Sequence, residues 1–164
     1  MNRIWAPWRM EYIEEEGGKD AGCIFCTKPS ENNDAENLIL DRGKLCFTIM
    51  NRYPYNNGHI MVAPYRHINN ITLLTDEEFS EMHKATNKGM TAIDSVMNPD
   101  GYNIGMNIGK VAGAGFEGHV HLHIVPRWNG DTNFMPVLAD IKVMPEHIRK
   151  TYGKILEAMR KLQG

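Results

Sequence analysis

The chain has 164 residues, 42% of them hydrophobic, and a formal net charge of −2. That length supports one domain, residues 1–164, with a real core, and the near-balanced charge leaves no electrostatic footprint for a nucleic acid. No apolar run is long enough for a membrane span, the first residues with Arg3, Arg9 and Glu11 do not read as a signal peptide, and three cysteines, an odd number, point to a reducing, cytoplasmic setting.

Residues 1–36 form an N-terminal segment. Ile4, Trp5, Trp8, Tyr12 and Ile13 suit a short amphipathic helix or turn docked on the body, and Pro7 argues against a long one. Gly22-Cys-Ile-Phe-Cys26 follows. A Cys-x-x-Cys pair can be a redox couple, half of a zinc site or a coincidence. A redox pair would open a helix after a strand, whereas the polar run from Thr27 to Asp34 fits a zinc knuckle on a loop, in need of two further ligands. Leu38–Leu40 and Lys44–Met50 read as strands around the turn Asp41-Arg-Gly43, with Cys46 a small buried residue of the second. Residues 51–58 are a loop by composition. His59-Ile-Met-Val-Ala63 is the return strand, and His59 is either a structural histidine or part of a site.

Thr75-Asp-Glu-Glu78 is a capping box ahead of an apolar stripe at Phe79, Met82, Thr86, Met90, Ile93 and Met97, which predicts a helix packed on the core and ended by Asn98-Pro-Asp-Gly101. Tyr102, Ile104, Met106 and Ile108 alternate with polar or small residues, so a half-buried strand follows. The glycine-rich stretch Gly109–Gly118 is either a pliable connection or a loop that turns backbone N–H groups towards an anion; its place before the next strand favours the anion cradle.

That next strand is His119-Val-His-Leu-His-Ile-Val-Pro-Arg-Trp128. Period-two alternation puts His119, His121 and His123 on one face and the aliphatics on the other. With 7 His in 164 residues, such a run arises by chance in roughly one chain in eighty, and a row of imidazoles serves no packing purpose. Pro126 should end the strand or turn it to an edge. Asn129–Pro136 is rich in turn residues. Pro145 starts a last helix, about 145–162, with Ile148, Tyr152, Ile155, Met159 and Leu162 on one face. Together these elements give an α+β domain: a mostly antiparallel sheet of about five strands with two main helices.

The histidine strand resembles the signature of the histidine triad (HIT) family of nucleotide hydrolases and transferases. Asn51-Arg-Tyr-Pro…Gly58-His59 resembles the nucleoside-binding hairpin of the branch that cleaves dinucleoside polyphosphates. Ile4-Trp-Ala-Pro-Trp-Arg9, Cys-Ile-Phe-Cys, Ala112-Gly-Ala-Gly115 and Trp128-Asn-Gly-Asp-Thr-Asn-Phe134 are similar to bacterial diadenosine tetraphosphate phosphorylases. The resemblance implies a HIT-like fold whose sheet extends across a homodimer, and an enzyme acting on an adenine nucleotide or dinucleoside polyphosphate. It makes His121 the nucleophile on the α-phosphorus and His123 a donor towards the leaving phosphate. His119 orients the other two or binds metal. Asn51 would hold ribose, with His59 beside it; Asn107, Gly113, Gly115, Phe116 and Gly118 would surround the phosphates; Leu45 and Ile49 could wall the base. In zinc-bearing relatives a Cys-x-x-Cys is completed by two histidines, and Cys23, Cys26, His67 and His119 match that set, a usual structural site for zinc. Magnesium could accompany the substrate phosphates. Hydrolase members often carry a Gln before the triad; its absence here counts against water as the acceptor, and cleavage is by phosphorolysis or hydrolysis. The final His123, where uridylyl-transferase relatives have Gln, argues against sugar-nucleotide transfer.

Two other classes compete with this reading. A catalytic zinc on all three triad histidines would strain a facial arrangement on one strand. A non-catalytic nucleotide-binding module would not need an intact triad.

Overall fold

The computed structural model describes residues 22–131 and 146–162. The predicted helix or turn within residues 1–16, the stretch 132–136 and Pro145 lie outside them. In chain order the elements are α1 Ile24–Ser30, α2 Asp34–Asn37, β1 Ile39–Arg42, β2 Cys46–Met50, β3 Ile60–Pro64, a 3-10 turn at Ile71–Leu73, α3 Asp76–Met97, β4 Gly101–Gly105, a second 3-10 turn at Lys110–Ala112, β5 Leu122–Arg127 and α4 Ile148–Lys161. The five strands form one antiparallel sheet in the order β1-β2-β3-β5-β4. Among the described residues no helix is long and apolar enough to cross a membrane.

The two long helices share one face of the sheet. α3 begins at the predicted capping box: Thr75 accepts from the Glu78 N–H, and the Glu78 carboxylate accepts from the Thr75 N–H. Arg66 clamps the same carboxylate with two bonds, 2.6 and 2.7 Å, and holds it below the usual carboxylate range. Met82, Ala92 and Ile93 of α3 and Tyr152, Ile155 and Met159 of α4 pack on Leu38, Leu40, Ile60, Val62 and Ile124. Gly89 lets α3 pack close over Ile60 of β3; an added Cβ would stand 2.6 Å from Ile60 Cδ1. Phe79 departs from the predicted stripe. It is 55% exposed and faces a groove lined also by Ile71, Ile104 and Ile108.

Three strand expectations need correction. The strand predicted at 102–108 is Gly101–Gly105 and stops where the following loop begins. The histidine strand joins the ladder only at Leu122. In the β3–β5 register, Val62 pairs with Leu122, so two residues outward the place opposite Val120 is occupied by Pro64, which has no N–H to give. Its carbonyl is taken by the His119 side chain instead. Conversely, the strand runs through Pro126 to Arg127. The Pro126 carbonyl accepts from the Asn56 side chain, so the residue's missing N–H also points past the end of β3, where no ladder bond is lost.

Candidate active site

The face of the sheet away from α3 and α4 carries Ile39, Phe47, Ile49, Met61 and Ala63, with Phe25 of α1 packed on them. His123 belongs to that face because Met61 is its register partner. His121 and His119 continue the row beyond the ladder. The three are almost wholly buried, at 8, 5 and 0% exposure. The His121 and His123 rings lie 4.7 Å apart, centre to centre, at 74°.

Fixed backbone partners decide which nitrogen of each ring carries a proton. His121 Nδ1 lies 2.8 Å from the His119 carbonyl, which can only accept, so Nδ1 is protonated and a neutral ring keeps its lone pair at Nε2. His119 Nε2 donates to the Pro64 carbonyl, 2.8 Å away, which leaves Nδ1 as a lone pair. The Tyr55 N–H donates to His59 Nδ1 at 3.1 Å. His59 Nε2 must then carry the proton and donate to His123 Nδ1, 2.9 Å away. A neutral His123 consequently presents an Nε2–H. Burial lowers the pKa of His121 and of His119 below the ordinary histidine value, so both are neutral near pH 7.

The His121 and His123 rings line a cleft that is partly open to solvent. Asn51, Gly115 and Phe116 of the predicted set line it too, as does Ile49. His59 sits behind, wholly buried, backing His123. Asn51 is engaged within its hairpin: Oδ1 accepts from the Tyr53 N–H at 2.9 Å. Asn107 Nδ2 donates to the Gly113 carbonyl at 3.5 Å and so braces the glycine-rich loop rather than lining the cleft. Gly113 itself takes φ 85°, in the left-handed region. Gly118 packs beside His67. Leu45 lies elsewhere, bonded through its backbone to Tyr65 and Glu81. Sequence reasoning missed Phe25, Tyr55, Lys28 and Arg52, which also line the cleft. The place of Phe25 between two candidate ligands was the signal available for it.

At the inner end of the row, Cys23, Cys26, His67 and His119 converge, with their ligand atoms all within 4.8 Å of one another. Cys23 Sγ to His119 Nδ1 is 3.3 Å, Cys26 Sγ to His67 Nδ1 3.4 Å, and Cys26 Sγ to His119 Nδ1 3.6 Å. Tetrahedral zinc bonds to sulfur and nitrogen imply edges of roughly 3.5 Å, so the donor set fits that ion. The Nδ1 lone pair of His119, fixed by the Pro64 carbonyl, points the same way. Burial and the neighbouring Cys26 thiol push Cys23 up to about 11, a cost that a bound cation would remove. The knuckle is not on a loop as expected: Cys23 is the N-cap of α1 and Cys26 lies within it. A short helix brings the two sulfurs to one side while its Phe25 packs under the sheet.

A lone pair on one imidazole and an N–H on its neighbour, facing one cleft, suit attack at an electrophile and donation to a departing oxygen. A family model for the HIT domain matches residues 32–130. The chain is 40% identical over 157 residues to the AP-4-A phosphorylase of Mycobacterium tuberculosis, covering 92% of this chain and 80% of that protein. It is 33% identical over 93 residues to the asymmetrical bis(5'-nucleosyl)-tetraphosphatase of Schizosaccharomyces pombe, covering 57% of this chain and 50% of that one. Among solved structures, a Zn-bound histidine triad family protein from Mycobacterium smegmatis superposes with a TM-score of 0.69 and 26% identity, covering 87% of this chain and 96% of its own.

Proposed function

The chain belongs to the HIT domain family, and from that premise we propose that it cleaves a phosphoanhydride bond of a dinucleoside polyphosphate of the diadenosine tetraphosphate kind. The observation that carries this reading is the pair of fixed tautomers, Nε2 bare on His121 and Nε2–H on His123. His121 Nε2 attacks the α-phosphorus; the P–N bond forms as the bond to the bridging oxygen breaks. His123 Nε2–H donates to that oxygen as charge gathers on it, and His59 steadies the other end of the ring. The nucleotidyl-histidine then passes its nucleotide to phosphate or water, so one difficult displacement becomes two easier ones. The glycine-rich loop offers backbone N–H groups to the phosphates, where magnesium could also sit, and Asn51 stands at the hairpin for the ribose.

Phosphate is the better-supported acceptor, because the more extensive of the two relatives is a phosphorylase. Incubation with diadenosine tetraphosphate and phosphate should yield ADP plus ATP. Formation of AMP plus ATP at the same rate with and without phosphate would instead establish hydrolysis, and no turnover in either condition would sink the assignment.

The Cys23, Cys26, His67 and His119 cluster would hold one structural zinc, tying α1 to the histidine strand and stabilising the fold rather than touching substrate. A homodimer is supported by the edge strand β4 and the apolar surface around it, where Phe79, Ile104 and Ile108 are 55, 47 and 37% exposed. Light scattering at micromolar concentration should return twice the chain mass.

A further inference from the structure

Phe25 stands between the two cysteines of the knuckle, on the first turn of α1. It is 2% exposed. Its ring stacks on His121, with centroids 4.5 Å apart and planes at 25°. The same ring meets His119 at 5.3 Å and Phe116 of the glycine-rich loop edge-on at 6.1 Å. One side chain therefore touches the metal cluster, the histidine beside it and the phosphate loop.

The bond from His121 Nδ1 to the His119 carbonyl fixes one atom of the imidazole. It narrows the rotation of the ring about Cβ–Cγ without locking it, because a hydrogen bond tolerates a range of angles and that torsion is broad for histidine. Attack requires the Nε2 lone pair to lie in line with the bond being broken, and that direction lies in the ring plane. A phenyl stacked on one face removes the remaining freedom. The phenyl face turned to His121 is also unavailable to a bound base, so Phe25 is more than a wall of the nucleoside pocket.

We propose that Phe25 is a positioning residue for the nucleophile: carried between Cys23 and Cys26, it sets the plane of the His121 ring, so that order in the metal cluster is transmitted to the reacting nitrogen. This rests on the reading of His121 as nucleophile. A second link runs through the backbone, since the carbonyl that holds His121 belongs to His119, itself one of the four cluster residues. The cluster thus supports the nucleophile from its face and from its edge.

The test uses zinc-loaded full-length protein with labelled histidine, followed by NMR. The His121 ring protons, identified by their loss in His121→Asn, report the phenyl above them through its ring current. In Phe25→Leu they should move downfield. A strong chelator should move them in the wild type and move them clearly less in Phe25→Leu, where only the link through the His119 carbonyl remains. In parallel, kcat of Phe25→Leu should fall ~10-fold, by a larger factor than nucleotide Kd rises, as expected for a misaligned reacting atom. Phe25→Met, which keeps most of the volume, replaces Leu if that variant loses its fold. Unmoved His121 signals in Phe25→Leu, an undiminished chelator shift there, or a raised Kd with full kcat would each overturn the proposal. If His121→Asn keeps its turnover, it is the nucleophile assignment that fails, while the NMR comparison still decides whether Phe25 orients that ring.

Discussion

The two faces of the sheet are cut from the same strands but do different work. Towards α3 and α4, Ile60, Val62 and Ile124 are completely buried among aliphatic and aromatic neighbours. One residue along, towards α1, Met61 and His123 pair across β3 and β5, and the histidine row is held by hydrogen bonds to carbonyls, an amide and another imidazole. The first face is a matter of volume, which many side chains of the right size can fill. The second is a matter of where each proton sits. Stability and chemistry are thereby separated by residue parity, so substitutions on the two faces should fail in different assays.

The largest effect should come from the reactive face. His121→Ala is expected to lower turnover by at least about 10³-fold while the melting temperature stays near that of the wild type, since the ring lines a cleft and leaves no sealed hole. Steady-state kinetics beside a thermal melt checks both halves; a large loss of stability would blur the distinction between the faces. Ile155→Ala does the reverse. Ile155 is completely buried in α4, and its truncation should cost about 2–5 kcal/mol in urea unfolding with kcat/KM of the folded protein nearly unchanged.

Metal removal sharpens the comparison, because the cluster lies on the reactive face yet should act on stability. Elemental analysis should find one zinc per chain, and a strong chelator should lower the melting temperature by about 5 °C or more. Zinc far below one equivalent, with melting indifferent to chelator, would return the cysteines to simple packing. The smallest effect concerns Glu146, ahead of α4. Lys154 first, then Thr151 and Lys150, hold its carboxyl down to about 2, against 4.5 ordinarily. The unfolded chain therefore binds the proton more readily between those values, and the benefit is complete above about 4.5 and gone below about 2. Wild type should melt a degree or two above Glu146→Gln at neutral pH, and the gap should close as pH falls through that window. A gap that widened on acidification would contradict the ion-pair account.

Much of this was legible in advance. The Thr75–Glu78 capping box, the alternation from His119 to Ile124 and the Cys-x-x-Cys pair are local patterns: the first opens α3, the second sets which face the histidines take although the ladder begins only at Leu122, and the third meets His67 and His119 although from a helix rather than a loop. What the sequence hid was relational. The stretch before Leu122 stays out of the ladder because Pro64 happens to lie opposite, and Pro126 is tolerated because β3 ends first; both depend on register between segments more than fifty residues apart. Phe79 fits the helical period but falls on a flank that neither the sheet nor α4 covers. His59 gave no sign of whether it was structural or functional, since its role depends on reaching His123. The roles of Phe25 and Tyr55 were invisible for the same reason: their rings matter through the imidazoles beside them.

The parity of β5 has a consequence for how such a gene can vary. A point change between His119 and Ile124 alters one side chain and leaves its neighbours where they are. Deleting or inserting one codon there carries everything on one side of the change through the sheet, exchanging histidines for aliphatics in both compartments at once. A library of single-codon insertions and deletions should therefore show a sharp silent zone over this stretch. Descent through this segment would then proceed by substitution alone, with its length kept constant while the sequence around it drifts.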